Sequence, residues 1–182
     1  NTLKPGFSYN TNTSDNIAFP LGGLGAGMFC LDGTGSISHV SLRHKPKVFN
    51  QPYTYSAISI QGQQNKARVI EGPVPKSKIF GAALTGNGLG HTTFGLPRFN
   101  SSTFTSRFPF GKIEFTDDTF DLNVKLTGWS PFIPTDEDSS SLPLAALEYE
   151  FTNTSKDSIS SVCSFNSINF MAEGSVGEAI LK

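Results

Sequence analysis

Hydrophobic and polar positions alternate most cleanly over residues 144–151. There Leu147, Tyr149 and Phe151 share one parity, and Glu148 and Glu150 the other. A period of two marks a strand with one face on a core and one in water. The residues Asn153-Thr154-Ser155-Lys156-Asp157 then supply a turn, and a further strand is expected within 158–169. The same reading predicts strands at 103–108, 111–115 and 122–128.

Toward the amino terminus, glycine punctuates the pattern. Segment 19–31 reads as a glycine-dense apolar strand pair, closed by a hairpin turn at Asp32-Gly33-Thr34-Gly35. Residues 36–42 are the returning strand, but Ile37, Val40 and Leu42 do not keep one parity, so a bulge is expected near His39. Another pair, 53–61 and 66–71, is expected around Gly62-Gln63-Gln64-Asn65. Residues 73–104 read as a long loop with room for one short strand. Residues 1–18 are polar without periodicity and read as an extended arm. No helix of ordinary length is predicted. Nine or ten short strands with polar turns imply an all-β protein, an antiparallel β-sandwich over 19–182. No boundary signal marks residues 173–182, so the sandwich is expected to be the first part of something longer.

Composition agrees with many turns and short strands. The 182 residues include 18 Gly, 11 Pro and 16 Phe. A net charge of -1 with no basic stripe argues against nucleic-acid binding. No run approaches the roughly 18 apolar residues of a membrane-spanning helix, so no transmembrane segment is expected. The chain begins at Asn1 rather than Met, which leaves a removed leader, and so secretion, open. Cys30 and Cys163 both sit in apolar contexts and are expected to be buried free thiols. Three sequons begin at Asn12, Asn100 and Asn153.

Candidate chemistry is sparse. The run Gly22-Gly23-Leu24-Gly25-Ala26-Gly27 lacks phosphate-loop spacing and a following helix, so close packing or positive-φ bends are its expected role. Arg43 and His44 open the densest basic cluster, at a strand end, where they would clamp a carboxylate or line a sugar pocket. His91 lies in the long glycine loop. Carboxylates pair at Asp117/Asp118, Asp136/Glu137/Asp138 and Glu148/Glu150. Paired carboxylates are the acid/base machinery of sugar hydrolysis, but none here has surroundings that separate two pKa values. No G-x-S-x-G elbow, H-E-x-x-H or Cys/His signature is present. No catalytic residue, metal ligand set or cofactor is therefore expected in this segment. Trp129 and Phe132, bracketed by prolines, offer a rigid aromatic patch for an interface or for stacking on a sugar ring.

The block Phe108-Pro109-Phe110-Gly111-Lys112-Ile113-Glu114-Phe115, residues 122–126 and the stretch Trp129-Ser130-Pro131-Phe132-Ile133-Pro134 through Asn153-Thr154-Ser155 resemble the amino-terminal domain of glycoside hydrolase family 116. That family includes the non-lysosomal glucosylceramidases and bacterial β-glucosidases. Phe19-Pro20-Leu21-Gly22-Gly23-Leu24-Gly25-Ala26-Gly27 is similar to the family's early segment. The resemblance implies a non-catalytic β-sandwich packed on a carboxy-terminal (α/α)6 barrel of the same polypeptide. A Glu nucleophile and an Asp acid/base in that barrel would hydrolyse a β-glucoside or glycolipid with retention. On this reading Arg43, His44, His91, Trp129, Phe132 and Asp138 are candidates for the domain interface or the rim of the sugar pocket. The alternative is a stand-alone carbohydrate-binding or structural β-sandwich module.

Overall fold

The structure, a computed structural model, describes residues 6–47, 52–75, 78 and 93–169. It is built almost entirely from antiparallel strands. One layer is a five-stranded sheet in the order β1 (Phe7–Asn10), β8 (Ser101–Arg107), β9 (Phe110–Thr116), β10 (Leu122–Trp129) and β11 (Ala146–Asn153). The facing layer is divided. A four-stranded sheet runs β2 (Ala18–Leu21), β3 (Met28–Asp32), β4 (Ile37–Leu42) and β5 (Lys45–Lys47). A three-stranded sheet runs β12 (Ser161–Ser167), β6 (Thr54–Ile60) and β7 (Ala67–Val69).

Strict alternation explains the central strands. Ile113 and Phe115 on β9, and Leu122, Val124 and Leu126 on β10, point inward and are buried, while their neighbours face water. Glycine continues the inward parity where the layers come closest. A Cβ on Gly128 would lie 2.8 Å from Leu21 and 3.0 Å from Leu31, and one on Gly111 would lie 2.9 Å from the Phe19 ring. Phe99, Phe104 and Phe115 are fully enclosed, with Phe99 set 5.7 Å from Phe115 and 5.5 Å from Phe120. Truncating any such ring to alanine costs about 3–5 kcal/mol. The bulge near His39 is present. Met28 pairs with Ser41 and Cys30 with Ser38, so Phe29 faces both His39 and Val40, and His39 has φ 49°.

Several features differ from the sequence reading. The arm supplies β1, whose Tyr9 pairs with Phe104 at the sheet edge. The basic cluster forms a short strand, β5, paired with β4. A four-residue helix, α1 (Glu137–Ser140), interrupts the segment before β11. Both cysteines are free, but only Cys30 is buried. Cys163 is exposed on β12, an edge strand. Phe151 on β11 and Phe165 on β12, both on edge strands, are exposed as well, although their parity points inward.

Candidate functional site

One end of the sandwich gathers a group of exposed apolar side chains. The β8–β9 turn presents Phe108, 65% exposed, which meets Phe132 edge-on at 4.8 Å. Phe110 and Trp129 are register partners at the ends of β9 and β10, on the face turned away from the core, with ring centres 6.4 Å apart. Trp129 is therefore a half-exposed outer-face residue and not part of the core. Ile133 and Leu142 extend the apolar surface along the segment that leads to β11.

Short-range polar contacts hold this segment in place. Asp136 caps α1, accepting from the Ser139 amide at 3.0 Å and the Ser139 hydroxyl at 2.7 Å, and these bonds hold its carboxyl below the usual aspartate pKa. Ser140 is buried, and its hydroxyl spans the Ile133 amide and carbonyl. The β2–β3 turn docks alongside. The Gly22 amide donates to the Ser130 hydroxyl at 2.6 Å, and the Leu24 amide to the Ser140 carbonyl at 2.9 Å. Gly23 has no room for a side chain because the Ser141 and Leu142 carbonyls lie against it. The glycine run is thus a packing device, with Gly22, Gly25 and Gly27 at positive φ.

Arg43 and His44 belong to the same end of the molecule. Both have positive φ, 52° and 57°, and form the two-residue turn between β4 and β5. Such a turn is usually signalled by Asn-Gly or Asp-Gly, so this dipeptide carried no hairpin signal. The turn lies beside Gly27, whose missing Cβ would sit 2.9 Å from the Ser41 carbonyl. Topology therefore brings Arg43, His44, Trp129, Phe132 and Asp138 to one end of the sandwich. Asp138 is exposed in the first turn of α1. His91 lies outside the described residues.

In each of the other two carboxylate pairs one member has a charged partner. Asp117 is enclosed and ion-paired to Arg68 at 2.8 Å. Glu150 pairs with Lys125 at 2.9 Å on the outer face of the five-stranded sheet. Sequence reasoning missed a second, buried group. Glu71 pairs with Arg98 at 3.0 Å and accepts from the Thr93 hydroxyl at 3.0 Å, and Lys78 pairs with Asp32. Burial pushes the Glu71 carboxyl up in pKa, and nearby Asp32 adds to that, against the opposing pull of Arg98. No pattern flags this group, because its members are spread over residues 32–98 and meet only in the fold.

Residues 18–179 match the family model described as "beta-glucosidase 2, glycosyl-hydrolase family 116 N-term". The chain belongs to this family. A search of curated protein sequences finds no match. As a family 116 amino-terminal domain, the chain is a glycosidase-associated β-sandwich, and a carboxy-terminal catalytic domain in the same polypeptide goes with that assignment. Among the described residues, no helix of the family 116 domain is long and apolar enough to cross a membrane.

Proposed function

We propose that this chain is the non-catalytic supporting domain of a retaining β-glycosidase of the β-glucosidase type. Its aromatic end seats against the carboxy-terminal (α/α)6 barrel and borders the pocket for a β-glucoside or glycolipid. The observation that carries this reading is the exposed cluster of Phe108, Phe110, Phe132, Ile133 and Leu142 at one end. A contiguous apolar surface of this kind is costly to leave in water and marks an interface. Charged groups flank it. Arg43 and His44 lie on one side and Glu137 and Asp138 on another, as expected for a polar rim around an apolar contact.

The test uses the full-length protein. Changing Phe108 and Phe132 together to serine should leave the β-sheet circular dichroism intact, since both rings lie outside the core. It should also speed proteolysis between the domains and lower hydrolysis of an aryl β-glucoside by about tenfold or more, the scale of losing an anchor residue at an interface. Wild-type proteolysis and activity in this variant would refute the assignment of this end. Hydrolysis by residues 1–182 alone would refute the non-catalytic role.

A further inference from the structure

A second feature lies at the opposite edge of the sheet from β11. A hollow of about 310 Å3 opens between β1, the turn that follows it, β2 and β8. Tyr9 and Phe19 supply aromatic surface over the enclosed Phe104 ring, and Asn16, Ser106 and Thr13 supply amide and hydroxyl groups. Its volume is at the lower end of the range for small-molecule pockets, enough for one sugar ring.

The chemistry of the lining narrows the ligand. Every lining residue is uncharged, so nothing in the hollow would compensate the desolvation of an anion or cation. Among the described residues, the Tyr9 hydroxyl, the Ser106 hydroxyl and the Asn16 side chain make no hydrogen bond within the protein. Thr13 differs, because its hydroxyl is turned back to the Asn10 carbonyl at 3.2 Å. The hollow thus combines ring faces with unused neutral donors and acceptors. A pyranose has the complementary character, with apolar C–H faces and a periphery of hydroxyls.

The walls are fixed before any ligand arrives. Thr11 clamps the turn to β8 by a reciprocal pair: its hydroxyl donates to the Ser102 carbonyl at 3.0 Å and accepts from the Ser102 amide at 3.0 Å. Ser14 is buried, and its carbonyl and Cβ lie where a side chain on Gly33 would go, which holds the turn against the β3–β4 hairpin. Phe19 is wedged between Phe104, at a ring separation of 6.0 Å, and Gly111. A preformed wall spares the ordering cost that weakens binding by mobile loops.

We propose that this hollow is a subsite for a single neutral pyranose unit, with Tyr9 as the stacking ring and Asn16 and Ser106 as hydrogen-bonding groups. The test is calorimetric titration of the full-length protein with methyl β-glucoside, with glucose 6-phosphate as the charged control. The wild type should bind one more equivalent of the neutral glycoside than Tyr9→Ala or Asn16→Ala, in which this site weakens by about tenfold or more, the loss expected for a removed ring contact. Tyr9→Phe should keep the stacking contribution and lose less, which separates recognition from a folding defect. The charged sugar should not occupy the site. Equal stoichiometry and affinity in the wild type and both alanine variants would overturn the proposal, as would equal binding of the phosphorylated sugar at this site.

Discussion

Asp117 lies just beyond β9 with its side chain fully enclosed, and four donors converge on it. Arg68 Nε and the Thr119 amide lie at 2.8 Å, the Thr119 hydroxyl at 2.6 Å and Asn100 Nδ2 at 3.2 Å. Burial alone would raise its pKa. Hydrogen bonds from Thr119 and Arg68, with the guanidinium charge, outweigh that and hold the carboxyl below the ordinary aspartate value. A depressed folded pKa contributes stability at neutral pH that is lost as pH falls through it. Asp117→Asn should therefore cost about 3 kcal/mol at pH 7, where it leaves Arg68 without its counter-charge. The gap to the wild type should narrow below about pH 4. Urea denaturation over a pH series measures this, and equal stability at pH 7 would contradict it. Asp117 and Asp118 are adjacent in the sequence, a pair whose local context does not separate two pKa values. The fold assigns the two different environments, one enclosed among donors from Thr119, Arg68 and Asn100 and one exposed.

At the scale of elements, strands that show a period of two were readable, and the short strands β1 and β5, which show none, were not. Parity located β8 to β11 to within about two residues, because the period of two is imposed wherever one face is buried. β1 has too few inward residues to show a period, and β5 is exposed along its whole length. The convergence of Arg43 and His44 with Trp129 and Phe132 was also hidden, since it depends on which sheet covers which. The packing of the β2–β3 turn on the α1 segment allows a sharp test. A Cβ on Gly23 would lie 2.6 Å from the Ser141 carbonyl, with the Leu142 carbonyl closer still, and backbone cannot rotate away as a side chain can. Gly23→Ala should destabilise the domain by about 1–3 kcal/mol, the scale of an overpacked contact. Hydrogen exchange should show the loss first at the Leu24 amide, which donates to Ser140. Unchanged protection there would mean that the turn is not held by this contact.

Across the whole molecule, the Glu71–Arg98 and Lys78–Asp32 pairs tie together parts that the sheets alone do not join. Arg98 Nη1 also donates to the Gly72 carbonyl, and Arg98 Nη2 to the Thr93 carbonyl, while the Gly72 amide donates to Thr34 in the β3–β4 hairpin. Glu71 has a raised pKa, so its sign is opposite to that of Asp117. Its contribution is fully present below the unfolded value of about 4.3 and is lost as pH rises through the folded one. The wild type should gain stability as pH falls across that window, and Glu71→Gln should show a flatter profile in the same denaturation series. Parallel profiles would show that Glu71 titrates as it does in the unfolded chain. The two pairs also respond to heat in their own way. Hydration of charged groups becomes less favourable as temperature rises, so the cost of keeping these ions dry shrinks while the gain from apolar burial levels off. The connection running through Glu71 and Arg98 is then relatively firmer in warm conditions than in cold ones, and chilling would loosen it before the phenylalanine core gives way.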